Sequence, residues 1–158
     1  MLVGYALVYP FLQPQPVGIA KELAMLGLAG ALSVAAVFFA AVVWYAADLR
    51  TVLQLVAPEQ RAATPNSVWW MLALPYNFIE DFFIIAAVTR SLRQMAAVKP
   101  VLQQLSGFGV GTGFGWCAAQ IGSLLPNQAG SGFAIVALVC WLLHWRFIRQ
   151  AKRLLQSL

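Results

Sequence analysis

The sequence predicts an all-α membrane protein: a bundle of about four transmembrane helices with a short N-terminal interfacial or re-entrant segment. Three observations predict it. Of 158 residues, 61% are hydrophobic and 9% are charged, where soluble domains carry about 25% charge. The apolar residues gather in four stretches, each with roughly the 17–25 residues that a bilayer demands. Lys and Arg cluster at the ends of those stretches, as they do around membrane spans. With a mean hydropathy of +0.77, a soluble fold of this size lacks the interior to hide so much apolar surface, so its solvent is lipid. The length suits one transmembrane domain over residues 1–158 and no separate soluble unit.

Met1 to Gln13 is apolar but lacks a basic leader and a clear small-residue cleavage site. It is too short to span, which makes it the interfacial or re-entrant piece, ended by Pro14-Gln15-Pro16. The first span covers about 23–47 and closes on Asp48 and Arg50. Pro58 and Pro65 break the polar linker that follows. The second span runs over 68–89 to Arg90 and Arg93, the third over 107–125 to Pro126, and the fourth over 130–147 into Arg146, Arg149, Lys152 and Arg153.

The net charge of +5 would suggest nucleic acid in a soluble protein; here the positive-inside rule accounts for it, and no nucleic-acid partner is expected. With a cytoplasmic N-terminus and four alternating spans, Lys21, Arg90, Arg93, Lys99, Arg146, Arg149, Lys152 and Arg153 lie inside. Only Arg50 and Arg61 then lie outside. Trp44, Tyr45, Trp69 and Trp70 mark the outer interface on this reading, and Trp145 the inner one. The expected location is a bacterial inner membrane with both termini cytoplasmic.

Two stretches carry chemistry or packing. On a helix, Gly107, Gly111, Gly115 and Ala119, with Gly122 beside them, form a small-residue ridge that admits another helix at backbone distance. A phosphate loop would need a following Lys and Ser/Thr, which are absent, and Thr112-Gly113-Phe114-Gly115 only echoes a potassium filter. The second stretch is Tyr76-Asn77-Phe78-Ile79-Glu80-Asp81, near the middle of the second span. A charge at the bilayer centre costs about 2.5–3.5 kcal/mol on insertion scales. These acids therefore need partners, protons or water. Tyr76, Asn77, Glu80 and Asp81 form a polar intramembrane cluster, with Ser33, Thr112, Gln120 and His144 as the potential partners within the chain. Three readings stay open: a proton or cation site, pairing with a neighbouring helix or subunit, or a broken span that leaves the acids at a wet end.

His144 is the one histidine. A single axial imidazole suffices for a tetrapyrrole, but beside Trp145 and Arg146 it reads as a headgroup-facing ring. No cofactor is otherwise expected. Zinc requires three or four ligands, Cys117 and Cys140 lack metal spacing, and no Ser has a His–Asp context; no metal site, catalytic residue or enzymatic activity is expected.

Pro75, Asn77, Asp81, Phe82 and Ser91-Leu92 resemble a span in small, uncharacterised bacterial inner-membrane proteins. Those read Trp, Ile-Pro, Asn, a polar–Phe pair and then Ser-Leu at the cytoplasmic end. The chain departs from the pattern in its Pro-to-Asn spacing and in carrying Glu80. The resemblance covers residues 75–92 and implies polytopic membrane topology and no particular activity.

Packing signals without a complete catalytic or transport constellation make the expected function that of a small accessory or structural subunit packed against a larger membrane complex; the expected partners are the lipid bilayer and other membrane subunits or, by self-association, further copies of the chain. The alternative is a homo-oligomeric proton- or cation-coupled transporter or channel that uses Glu80 and Asp81.

Overall fold

The computed structural model describes residues 25–73, 77–125 and 128–158. The expected N-terminal segment, Lys21 and Tyr76 lie outside them. The described residues are mostly helical and contain no strand. Four α-helices order the fold: α1 (Gly27–Leu55), α2 (Asn77–Val98), α3 (Val110–Gly122) and α4 (Gln128–Gln156). Two of them, α1 and α4, are long and apolar enough to cross a membrane.

Prolines set the breaks. Ala57, before Pro58, is extended at ψ 142°, because a proline ring excludes helical geometry from the residue before it. A short 3₁₀ turn, Pro58–Gln60, follows, then a longer one, Pro65–Leu72. Lys99 is likewise extended before Pro100. The α2–α3 connection then closes through 3₁₀ turns over Pro100–Gln104 and Ser106–Gly109. Gly107, Phe108 and Gly109 are left-handed, with φ of 59°, 52° and 71°.

The second expected span is therefore two pieces. Val68–Leu72 is 3₁₀ and Ala73 is extended; α2 begins at Asn77 and continues nine residues beyond the expected end at Thr89. The chain doubles back after α1. The Arg61 guanidinium donates to the carbonyls of Gln54 and Val56, and Arg50 Nε donates to Asn66 Oδ1 at 3.0 Å. Val68 and Met71 then enter the core.

Contacts fix the helix directions. Gly109 lies against Phe147, Gly115 against Cys140 and Gly122 against Phe133, so α3 and α4 are antiparallel. Thr89 donates to the Phe108 carbonyl and Gln120 to Asp81, so α2 and α3 are antiparallel too. Phe38 packs on Trp141, Tyr45 on His144, and Asp48 bonds Lys152, so α1 runs parallel to α4. Four successive alternating spans would make the first and fourth antiparallel. The difference traces to residues 56–72, which return along α1 before α2 starts, so that α1, α2 and α4 all point the same way.

That arrangement corrects the division of charge. Arg50 and Arg61 share an end with Arg90, Arg93, Lys99, Arg146, Arg149, Lys152 and Arg153, which include every described Lys and Arg. The aromatic residues expected at opposite interfaces also meet: Trp44 and Tyr45 each sit 6.1 Å from Trp145, ring centroid to centroid.

The core is built on seams of alternating three- and four-residue spacing, which keep one helix face turned to its neighbours. On α2 the buried seam is Phe78, Asp81, Ile85, Val88, Leu92 and Met95; on α4 it is Ala137, Trp141, His144, Ile148, Ala151 and Leu155. Leu28, Leu32, Val37 and Phe39 of α1, and Ile135, Val139 and Leu143 of α4, point outward.

Candidate functional site: a buried polar core

Two polar residues occupy seam positions where the pattern calls for apolar ones, Asp81 on α2 and His144 on α4, at 3% and 1% exposure. An unpaired polar group in such a place costs several kcal/mol, on the order of 2–7 for a neutral group. Their partners decide what the core can do.

Asp81 Oδ2 accepts a hydrogen bond from the Gln120 side-chain amide at 3.1 Å. Its other oxygen, Oδ1, is buried and has no hydrogen-bond partner among the described residues; the same holds for Asn77 Oδ1. Residues four apart on a helix are neighbours on one face, so one turn of α2 presents two buried acceptors without donors. Gln120 was among the partners the sequence offered. Glu80, about 100° around the helix, faces elsewhere: it lines a groove of about 340 Å³ between the doubled-back segment and α2, with Ala62, Ala63, Ser67 and Arg90. The four-residue cluster thus divides, Asn77 and Asp81 turning inward and Glu80 turning to the groove.

His144 does not face headgroups. Its Nδ1 lies 2.8 Å from the Tyr45 hydroxyl, and both rings are buried. Trp116 and Trp141 close edge-on around Tyr45 at 5.6 and 5.8 Å. A Cβ on Gly113 would stand 3.0 Å from Nε2, so α3 backbone covers the second ring nitrogen. An axial ligand must present one nitrogen to its macrocycle; with Nδ1 on Tyr45 and Nε2 under Gly113, these residues do not fit a tetrapyrrole. Sequence reasoning missed Tyr45, Trp141 and Cys117. Cys117 is buried in the same core.

Removing the Tyr45 hydroxyl tests the pairing. Tyr45→Phe is expected to cost about 1–3 kcal/mol, the desolvation penalty of a buried nitrogen left unmatched, read as a lower melting temperature in detergent. His144→Phe in that background should then cost less than His144→Phe alone, because both polar partners leave together.

The glycine ridge is rearranged as well. Gly107 precedes the helix in a left-handed turn, and Gly111 is exposed, with open space where a Cβ would be. Gly115 and Gly122 do meet a helix, and it belongs to this chain: Cys140 and Phe133 of α4. Ala119 is buried on the same helix. Gly113, which was not on the expected ridge, sits close against α2. A Cβ there would come within 2.5 Å of Ile85 Cγ2.

A second buried polar group stands at the charged end. Asp48 is 3% exposed. Lys152 Nζ donates to its Oδ1 at 2.7 Å and the Trp145 indole N–H to its Oδ2 at 2.8 Å. This cluster ties the end of α1 to α4.

Comparison with known proteins finds no matching family model, no matching curated relative and no matching solved structure.

Proposed function

We propose that the chain is an integral protein of the bacterial inner membrane, held by α1 and α4, that carries a proton at Asp81 as part of a transport or channel function. The carrying observation is the Asp81 carboxylate: 3% exposed, bonded to Gln120 through one oxygen and to nothing described through the other. Acids at membrane depth mark ion or proton pathways because their burial is too costly to retain idly. The basic end faces the cytoplasm by the positive-inside rule, and puts the C-terminus there. Between the two long helices, α3 has 13 residues, fewer than a crossing needs.

The test is proton flux into liposomes that hold the purified chain. Asp81→Asn keeps the volume and the Gln120 contact while removing the titrating group, and flux should fall at least about tenfold, a bound below the roughly 10²–10⁴-fold that a positioned proton-transfer group contributes in catalysis. Equal flux in the parent and the variant refutes the proposal.

A second reading, the accessory subunit, draws on one observation. Most of the N-terminal half of α1 is exposed, Leu28, Leu32, Val37 and Phe39 included, and Phe38 touches Trp141 of α4 at its inner end. Purification in mild detergent separates the readings, because co-migration with one defined larger assembly supports the subunit and a homo-oligomer alone removes it.

A further inference from the structure

The last three turns of α4 carry an open groove of about 600 Å³ lined by Leu142, Trp145, Arg146, Arg149, Gln150 and Arg153. Arg146, Arg149, Gln150 and Arg153 are exposed, and the three guanidiniums make no hydrogen bond or ion pair with any described residue. No carboxylate lines the groove. The neighbouring cation, Lys152, is already committed to Asp48, so the charge left over belongs to the arginines.

The groove has two chemistries in sequence. At its N-terminal end are Leu142 and the ring of Trp145, whose N–H is already donated to Asp48. That ring therefore presents an apolar face. At its other end, three guanidiniums spread over about 10 Å of helix axis, at 1.5 Å per residue. Leu142 belongs to the apolar run of α4, and the arginines begin where that run stops. A free anion would use only the arginine end. An acidic protein would leave the apolar end in lipid. An amphiphile with an anionic head uses both ends, and guanidinium is the side chain best matched to phosphate, through paired N–H donors.

We infer that the Arg146–Arg149–Arg153 groove of α4 binds the headgroup of an anionic phospholipid from the leaflet at the basic end, with the acyl chains lying along Leu142 and Trp145. The site is separate from Asp81 and stands whether or not that residue carries a proton.

The test is native mass spectrometry of the purified chain with phosphatidylglycerol or phosphatidylcholine added in turn. The parent should prefer phosphatidylglycerol by about tenfold or more, given the attraction each basic residue adds near a membrane surface. Arg146→Gln/Arg149→Gln/Arg153→Gln should bring that preference to within about twofold. Arg90→Gln/Arg93→Gln/Lys99→Gln, which removes the same charge from the same end, should keep it. Should the first triple variant not fold, Arg149→Gln alone, at an exposed position, is expected to lower the preference about threefold. Undiminished preference in the α4 variant, or equal loss in the control, overturns the inference by making the attraction a general one. Glycerol phosphate that binds as tightly as the lipid also overturns it, because the ligand is then a soluble anion.

Discussion

Lys152→Met is expected to lower the stability of the folded chain by about 3 kcal/mol, the lower end of the range for breaking a buried ion pair. The Lys152 side chain keeps 28% exposure while that of Asp48 keeps 5%, so the two ends of the pair are unequal. Without the ammonium, the carboxylate stays buried in α1 with only the Trp145 indole to meet it. Without the carboxylate, Lys152 can turn toward water. Asp48→Asn should therefore cost only about 1 kcal/mol, the ordinary net worth of a hydrogen bond, since the amide oxygen still accepts from Trp145. The double variant should recover most of the loss, because no uncompensated charge remains. Melting in detergent micelles reads all three, and a larger loss for Asp48→Asn than for Lys152→Met would contradict the assignment of the stranded charge to Asp48.

The same pair shows where sequence reasoning stopped. Asp48 and Lys152 lie at the polar ends of two apolar runs, and each run is legible as a helix of membrane length. What is not legible is that both ends face the same way. The positive-inside count assumes that each apolar stretch crosses once, and Val68–Leu72 is apolar enough to be taken for the start of a crossing. It is instead a 3₁₀ return along α1, an arrangement held by contacts such as Ser91 Oγ accepting from the Ala62 N–H rather than by any local propensity. Once that segment doubles back, Arg50 and Arg61 join the basic end.

His144 shows the opposite case, a signal present and outweighed. Its neighbours Trp145 and Arg146 suggest an interface, yet its position continues the seam Ala137, Trp141, Ile148, Ala151 and Leu155, which is legible in the spacing alone. A polar residue on such a seam predicts a buried partner. Its identity, Tyr45, is 99 residues away and follows from no local rule. Asp81 obeys the same logic: the seam Phe78, Ile85, Val88 and Leu92 includes it and leaves Glu80 out. The acidic stretch is legible in the sequence; which neighbour each face meets, Gln120 for Asp81 and the doubled-back segment for Glu80, is not.

Gly113 should be the least replaceable glycine of α3, and Gly111, two residues before it, among the most replaceable. A regular ridge at four-residue spacing would rank them the other way. On Gly113 a Cβ would lie 2.5 Å from Ile85 Cγ2 and 3.0 Å from the His144 ring. Ile85 and His144 are themselves buried, at 0% and 1% exposure, so neither can swing aside as the half-exposed ring of Phe133 can beside Gly122. The helices must part instead, and overpacking of this kind costs about 1–3 kcal/mol for a single added group. Gly113→Ala should fall in that range and Gly113→Val beyond it, with the Tyr45–His144 bond disturbed as α3 moves away. At Gly111 the space is empty and the residue is exposed; Gly111→Ala should be neutral or stabilising by about 0.5–1 kcal/mol, because alanine loses less backbone freedom in a helix than glycine. Melting temperatures of the variants in the same detergent are expected to move in opposite directions. Equal losses at Gly111 and Gly113 would return the close contact to the four-residue ridge and take it away from the meeting point of α2, α3 and α4.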